Sequence, residues 1–213
     1  MVQSKRKLKI VLWVLLGAVV LGLLLWGSVC ILLQTCTWGY ARAVSHQEEA
    51  LRQQVISTAE NWLGCNESDG SHKPIIDLYN SHTPLARGYT VTYEDSWCAT
   101  FCSAVAIQLE LTHIIPTECG CEKQIELFSA LGRWVEEDSY VPLPGDLIYY
   151  SSLDIGVGDC DKWSDHVGIV VGTFGPFIKV IEGNYENKVQ YRILPVNSNG
   201  IRGYGIPDYE SIA

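Results

Sequence analysis

Hydrophobic and polar residues follow three different patterns along this chain. Residues 10–33 are 24 consecutive positions without a charge. Between residues 48 and 134, apolar residues recur every three or four positions in several segments, which is typical of helices packed on a core. After Pro144 the period changes, and short β-branched and aromatic runs are separated by Gly, Pro and Asn turns. The pattern therefore predicts an apolar segment, then helices, then strands.

The apolar segment has the length of a transmembrane helix. A helix of residues 10–33 would be about 36 Å long, which spans the ~30 Å hydrocarbon core of a bilayer with some tilt. Four basic residues precede it within residues 1–9, and no charged residue follows it before Arg42. The positive-inside rule places the N-terminus in the cytoplasm. We therefore expect a single-pass anchor in the cell membrane, with residues 1–9 as a cytoplasmic tail.

A cleaved signal peptide is the alternative for this segment. Ala41-Arg42-Ala43 has the small-x-small form of a cleavage site. The apolar core of a signal peptide is typically about 7 to 15 residues, however, and this run is far longer. The anchor is the better interpretation, and residues 34–46 then form a short linker that holds an extracellular domain, residues 47–213, close to the membrane.

The extracellular domain has the pattern of an α+β fold. Helices are predicted for Glu48–Leu63, for Ile75–Tyr79, from Trp97 or Cys98 to Glu110, and for about Glu122–Trp134. Strands are predicted for Asp146–Tyr150, His166–Gly172, Phe177–Glu182, Lys188–Leu194 and Ile201–Tyr204. Because the helices come first and the strands afterwards, we expect N-terminal helices packed on an antiparallel sheet.

The distribution of charge excludes nucleic acid as a natural partner. All 24 acidic residues lie beyond residue 33, with only 11 of the 15 Lys and Arg, so this part of the chain carries a formal charge of −13. A protein of this sign repels the phosphate backbone. We expect a monomeric extracellular domain with no nucleic-acid partner.

Cys98 is the strongest candidate for a nucleophile. The run Asp95-Ser96-Trp97-Cys98 leads from a loop into the start of a predicted helix. Free backbone N–H groups and the helix dipole favour a thiolate at that position. A nucleophilic cysteine also needs a base. The alternative is that Cys98 is simply a small buried hydrophobic residue, as free cysteines usually are.

His166 is the candidate base. It opens an apolar strand directly after a long loop, whereas the other four histidines lie in polar or loop segments. A histidine at a strand end can be held in place by packing, and a neighbouring acceptor can fix the tautomer of its ring. The following strand ends in Ile-Glu-Gly-Asn at residues 181–184, which offers Glu182 and Asn184 as acceptors.

The register of the predicted hairpin decides which acceptor meets this imidazole. If Gly172 pairs with Pro176, the histidine lies opposite Glu182; if Gly172 pairs with Ile178, it lies opposite Asn184. Either register places an oxygen on the same face as the imidazole. A register shifted by one residue would put the histidine on the opposite face and separate the groups.

Four motifs in one order resemble those of the CHAP domain, the cysteine- and histidine-dependent amidohydrolase/peptidase family of papain-like proteins. They are Trp-Cys-Ala-Thr-Phe at 97–101, Pro-Gly-Asp-Leu-Ile-Tyr at 144–149, Asp-His-Val-Gly-Ile-Val at 165–170 and Ile-Glu-Gly-Asn at 181–184. The resemblance covers about residues 47–209. The family is found largely in bacterial and phage peptidoglycan hydrolases, so the resemblance implies a papain-like fold and an amide of peptidoglycan as substrate.

The resemblance also implies a role for each motif residue. Cys98 would be the nucleophile and His166 the general base and then acid. Glu182 and Asn184 would orient the histidine, and we expect Glu182 to be the principal group. No cofactor is implied. Some members of the family carry a calcium-binding acidic loop before the cysteine, but residues 93–96 offer only two carboxylates, and we expect no metal.

Two tryptophans are candidates for the walls of a substrate cleft. Trp97 precedes the candidate nucleophile, and Trp163 lies shortly before the candidate base. For each of them the alternative is a core or partly buried position, because tryptophan is a large residue that most often serves packing.

The remaining cysteines admit several interpretations. Cys119-Gly120-Cys121 is spaced too closely for the usual zinc pair and lacks a second pair, which favours disulfides or free buried thiols. Cys102 lies one helical turn after Cys98 on the apolar stripe of the helix, so we expect a core residue. A redox role for Cys102 as a resolving thiol is the alternative.

The function predicted from the sequence is that of a membrane-anchored cysteine amidase or endopeptidase acting on peptidoglycan outside the cell. Two alternatives remain. The domain would be an inactive binding or assembly module at the cell wall if Cys98 were not activated, or a papain-like peptidase if its substrate were protein.

Overall fold

The computed structural model describes residues 42–137, 139–153 and 163–213, together with the helical positions 15, 17 and 19–22. The predicted cytoplasmic tail, most of the predicted transmembrane segment 10–33 and residues 34–41 of the linker lie outside the described residues. Within the described part of the chain, no helix is both long and apolar enough to cross a membrane. The chain divides into two compact units, Met1–Thr37 and Trp38–Ala213, and the boundary falls within the predicted linker.

In its described part, the second unit contains four α-helices, and six strands follow them. The helices are α1 His46–Glu60, α2 Lys73–Ser81, α3 Cys98–Gln108 and α4 Cys121–Ala130, with short 3-10 helices at Ala86–Gly88 and Tyr209–Ile212. The strands are β1 Trp134–Val135, β2 Leu147–Tyr150, β3 His166–Phe174, β4 Phe177–Tyr185, β5 Lys188–Pro195 and β6 Ile201–Gly205.

The strands form one antiparallel sheet in the order β1-β6-β2-β3-β4-β5. Helix α3 packs against β3 and β4, and the larger hydrophobic core lies between the helices and this face of the sheet. A smaller cluster, which includes Val170 and Tyr204, covers the opposite face. The predicted α+β class with an antiparallel sheet and packed helices is therefore confirmed.

Helix α1 begins where a side chain caps it. The Ser45 hydroxyl accepts a hydrogen bond from the Glu48 backbone N–H at 3.0 Å, which satisfies one of the free donors of the first turn. Val55 and Ala59 then lie buried on the core side, as the apolar spacing predicts. The helix ends at Glu60 rather than at the predicted Leu63, and the chain continues as turns.

The end of α4 was predicted wrongly. The helix was expected to continue to about Trp134 but ends at Ala130, because Gly132 adopts a left-handed conformation (φ 66°) that a helix cannot contain. Trp134 instead begins β1 and pairs with Gly205. A Cβ at Gly203 would lie 2.5 Å from the Trp134 ring, so the glycine makes room for this side chain.

A buried ion pair joins α1 to the start of β2. The Arg52 guanidinium donates to Asp146 Oδ1 at 2.9 Å and to the Pro144 carbonyl at 2.8 Å, and both charged side chains are almost fully buried. Asp146 Oδ2 accepts from the Tyr140 hydroxyl and the Leu143 backbone N–H. The Pro-Gly-Asp motif at 144–146 therefore fastens the first helix to the sheet.

Removing one member of this pair is expected to destabilise the domain strongly. Arg52→Ala leaves the Asp146 carboxylate buried without its cation, which costs about 3–5 kcal/mol of the free energy of unfolding. Lys123→Ala is the matched control, because the Lys123–Glu126 pair is about half exposed and is worth about 0–1 kcal/mol. Urea unfolding measures both, and equal losses would contradict the assigned role.

Candidate active site

Cys98 is the first residue of α3, as the sequence predicts. The loop before it is closed by Asp95, whose Oδ2 accepts from the Thr92 backbone N–H at 2.7 Å, from the Thr92 hydroxyl and from the Tyr89 hydroxyl. These bonds lower the pKa of Asp95, the Thr92 backbone N–H contributing most. The loop therefore delivers the thiol to the positive end of a helix, where an anion is favoured.

Trp97 supports this helix start from within the core. The side chain is fully buried, its Nε1 donates to Glu67 Oε1 at 3.0 Å, and its ring stacks on His72 with centroids 5.7 Å apart. His72 is itself buried, although its sequence context suggested a loop residue. With no exposed surface, Trp97 occupies the core position that the sequence left open as the alternative to a cleft wall.

A close approach of β4 to α3 fixes the distance between the nucleophile and the sheet. Gly183 lies against α3 so tightly that a Cβ would be 2.4 Å from Phe101 Cβ and 3.0 Å from the Trp97 ring. A larger residue at this position would push the strand away from the helix. Because Gly183 follows Glu182 directly, this contact also sets the position of Glu182.

The β3–β4 hairpin contains a bulge that the sequence did not reveal. Gly172 pairs with Lys179, not with Pro176 or Ile178 as either predicted register required. Nearer the site Ile169 pairs with Ile181, which is the second predicted register, the one whose continuation places His166 opposite Asn184; the register shifts only between Val170 and Gly172. An extra residue in one strand accounts for the shift. Without the extra residue, the β3 side chains before the bulge would lie on the opposite face of the sheet from the β4 side chains that they now accompany.

The bulge places Glu182 on the same face as His166. Continuing the Ile169–Ile181 pairing puts Gly168 opposite Glu182, and a Cβ at Gly168 would lie 2.6 Å from Glu182 Cγ. The missing side chain at Gly168 leaves room for the Glu182 carboxylate beside the imidazole. Glu182 Oε2 contacts His166 Nε2 at 3.2 Å.

Arg192 on β5 holds the other side of this carboxylate. Its Nε donates to Glu182 Oε1 at 2.9 Å, and its terminal Nη2 forms an ion pair with the same oxygen at 2.8 Å, while Glu182 itself is fully buried. The Arg192 guanidinium also lies 3.9 Å from the centroid of the Tyr150 ring. Sequence reasoning missed Arg192, because a single arginine on an alternating strand has no motif around it.

Electrostatics favour an ion pair between the nucleophile and the base. The hydrogen bond with Cys121 is the largest effect on the pKa of Cys98; burial opposes it, and His166 lowers the pKa further, to well below that of an ordinary thiol. Burial alone would lower the pKa of His166, but hydrogen bonds and charges of Cys98 and Glu182 raise it to about 9. Both shifts favour a thiolate at Cys98 and an imidazolium at His166.

Cys121 is the second residue that sequence reasoning did not assign to the site. Its Sγ lies 3.5 Å from Cys98 Sγ, and it is the first residue of α4. The hydrogen bond with Cys98, together with burial, raises the pKa of Cys121 well above its ordinary value, so it stays a protonated donor. The only signal for Cys121 in the sequence is the Cys-Gly-Cys run at 119–121, whose spacing is too close for the usual zinc pair.

The five cysteines in the described ranges, Cys65, Cys98, Cys102, Cys119 and Cys121, are free thiols. Cys102 is buried, and burial raises its pKa, as expected of a core residue. Cys160 lies outside the described residues. Among the residues that the structure covers, no group of three or more His, Cys, Asp and Glu is arranged to hold a metal ion.

Asn184 and Trp163, the remaining predicted site residues, lie near the ends of the strands that carry the site. Asn184 has a left-handed backbone (φ 56°) where the β4–β5 register shifts, and the acceptor recorded beside His166 is Glu182. Trp163 is 70% exposed. The structure therefore brings together Cys98, His166 and Glu182 of the predicted set.

Two cavities lie near the candidate site residues. One of about 400 Å³ is lined by His166, Asp165, Tyr185 and Arg192 among others. The second, of about 210 Å³, is lined by Asp95 and Ser96, directly before Cys98, and by Arg87 and Cys119. One cavity therefore lies beside the imidazole and the other beside the loop that precedes the cysteine.

Comparison with known proteins returns no match: no family model, no curated protein and no solved structure is significantly similar to this chain.

The ion pair predicts an unusually reactive thiol at low pH. An ordinary thiol with a pKa near 8.5 is less than ~1% thiolate at pH 6. Alkylation of Cys98 by iodoacetamide should therefore be already near its maximal rate at pH 6 in the native protein. In His166→Ala the rate at pH 6 should fall at least ~10-fold and recover towards pH 9. Peptide mass spectrometry follows the rate at Cys98, and identical pH profiles in the two proteins would contradict the ion pair.

The two candidate orienting residues are expected to behave differently. Glu182→Gln removes the charge that helps to raise the pKa of His166, so that pKa should fall. Asn184→Gly keeps the left-handed backbone and should leave the pKa close to that of the native protein. NMR titration of the histidine ring measures both, and a larger fall in the Asn184 variant would reverse the assignment.

Proposed function

We propose that this chain is a membrane-anchored extracellular cysteine amidase or endopeptidase with a papain-like CHAP fold, and that it hydrolyses an amide bond of peptidoglycan. The observation that carries the proposal is the contact of a buried carboxylate, Glu182, with His166, together with Cys98 at the start of a helix, whose pKa His166 helps to lower. An activated thiol, a base and a group that orients the base are what thiol-dependent acyl transfer requires.

The first half of the reaction is acylation of the thiol. The Cys98 thiolate attacks the amide carbonyl, and backbone N–H groups at the start of α3, including that of Cys98, stabilise the oxyanion. The His166 imidazolium then protonates the leaving amine. An amide suits this site because an amine departs only when it is protonated, and the raised pKa of His166 keeps a proton available.

The second half is hydrolysis of the thioester. His166, now neutral, accepts a proton from the water that attacks the acyl carbon. The C–S bond then breaks, the carboxylic acid product leaves, and the Cys98 thiolate is restored beside the His166 imidazolium. Glu182 holds the ring through Nε2, which leaves Nδ1 for Cys98 and the water. Arg192 holds the Glu182 carboxylate in place throughout.

Peptidoglycan as the substrate follows from the family resemblance and the predicted topology, and the cavities agree with it. Space beside His166 and space beside Ser96 would accept groups on both sides of the scissile amide. The formal charge of −13 beyond residue 33 gives no attraction towards anionic wall polymers, so the anchor would supply the local concentration.

Digestion of purified sacculi tests the proposal. The full-length chain in a mild non-ionic detergent should release free amines, and Cys98→Ala should lower the rate at least ~10³-fold because it removes the nucleophile. Cys65→Ala is the matched control, since Cys65 is a partly buried free thiol away from the site, and it should retain activity.

The same assay separates the alternative functions. Equal release of amines by the native protein and Cys98→Ala would contradict the enzyme and favour a binding module. Cleavage of denatured casein without cleavage of sacculi would contradict the substrate class and favour a protein peptidase. Mass spectrometry of the muropeptides identifies the bond that is cut.

A further inference from the structure

The contact between Cys98 and Cys121 is a pair of thiols that acyl transfer alone does not require. Each is the first residue of its helix, both are buried, and their sulfurs are 3.5 Å apart. A disulfide bond is about 2.05 Å long, so the sulfurs need to approach by about 1.5 Å. Both cysteines lie at helix starts rather than in helix interiors. Rotation of their side chains, with small backbone shifts, can therefore bring the two sulfurs together.

The two thiols differ in protonation, as the two cysteines of a redox pair require. Cys98 is the thiolate of the pair, and thiolates are the forms that peroxides oxidise. Cys121 keeps its proton and lies within contact distance, ready to condense with an oxidised partner. Cys102, the resolving thiol considered from sequence, is a core residue, and the sulfur recorded in contact with Cys98 is that of Cys121.

We propose that Cys98 and Cys121 are an oxidative modification site, in which a hydroperoxide converts the two thiols into a reversible disulfide that blocks the nucleophile. The proposal rests on the proposed function only in taking Cys98 as the nucleophile. It adds a regulation of the site, because oxidation would stop hydrolysis and reduction would restore it.

The chemistry balances in two steps. The Cys98 thiolate displaces one oxygen of hydrogen peroxide, which forms a sulfenic acid and, with a proton, releases one water; sulfur is oxidised and the O–O bond is reduced. The Cys121 sulfur then attacks the sulfenic sulfur, its thiol proton leaves with the hydroxyl group as a second water, and the S–S bond forms. A dithiol reverses the reaction by exchange through a mixed disulfide.

The disulfide would also protect the enzyme from permanent damage. A sulfenic acid that meets no second thiol is oxidised further to a sulfinic acid, which thiols do not reduce. Because Cys121 is already in contact, condensation competes well with a second peroxide molecule. Without Cys121, the same exposure should inactivate Cys98 irreversibly.

Peptide mapping of the full-length protein tests the proposal, and the protease matters. Trypsin leaves Cys98, Cys102, Cys119 and Cys121 on one peptide, since no Lys or Arg lies between Arg87 and Lys123. A glutamate-specific protease separates them, because it cuts after Glu94, Glu110, Glu118 and Glu122 and places the first two cysteines on one peptide and the last two on another.

The reduced protein is treated with equimolar hydrogen peroxide, its free thiols are blocked with iodoacetamide, and the digest is analysed by mass spectrometry. Peptides 95–110 and 119–122 should be joined, and tandem fragmentation should locate the bond at Cys98 and Cys121. Cys102→Ala and Cys119→Ala should still give the link. A link to another cysteine, or Cys98 as sulfinic acid with Cys121 free, would overturn the proposal.

Cys121→Ser supplies the matched variant. With excess hydrogen peroxide, which supplies the two equivalents that a sulfinic acid requires, it should give no linked peptide, and Cys98 should accumulate as sulfinic acid that dithiothreitol does not reverse. Cys121→Ala repeats the test if the serine variant does not fold, as judged by circular dichroism. Recovery of an unoxidised Cys98 thiol from Cys121→Ser, whose hydroxyl still can donate to Cys98, after excess peroxide and dithiothreitol and to the same extent as in the native protein, would contradict a role for Cys121.

The mapping separates this proposal from the proposed function. It reads covalent bonds and needs no substrate. A disulfide without any cleavage of sacculi would refute the hydrolase alone. Cleavage of sacculi by a protein that forms no Cys98–Cys121 bond would refute the redox site alone.

Discussion

The candidate site depends on a carboxylate that is buried in the sheet. Glu182 has no exposure to solvent, and such a charge is costly unless it is paired and hydrogen-bonded. His166 and Arg192 provide that pairing from the two strands on either side. The carboxylate therefore does two things at once: it joins three neighbouring strands, and it gives the imidazole an orientation and a positive charge. The charge on the imidazole in turn stabilises the Cys98 thiolate.

Two glycines make this arrangement possible, and each acts by the absence of a side chain. Gly168 leaves the space that Glu182 fills, and Gly183 lets β4 approach the start of α3 closely, against Phe101 and Trp97. The helix start and the strand are therefore positioned by backbone contact rather than by flexible side chains. Catalytic groups held in this way need little reorganisation during a reaction, which is the property that an electrostatically organised site requires.

The sequence predicted the parts of the site better than their connections. Periodicity located α3 and the strands, and local motifs singled out Cys98, His166 and Glu182. The sequence did not predict the bulge after Val170, because one extra residue does not change the pattern of a short apolar run. It also did not predict Arg192 and Cys121, because their importance comes from contacts with residues far away in the sequence. The end of α4 was missed because apolar residues continue past Gly132, where only backbone conformation breaks the helix.

The bulge in β3 divides the hairpin into two parts with different tolerance to change in length. Between the bulge and the turn at Gly175, adding or removing one residue in each strand preserves the pairing nearer the base of the hairpin. A single residue inserted in one strand between the bulge and His166 instead moves the His166 side chain to the opposite face of the sheet. The imidazole is then separated from the Glu182 carboxylate. Natural variation in hairpin length should therefore be confined to its tip, while the spacing from His166 to the bulge stays constant.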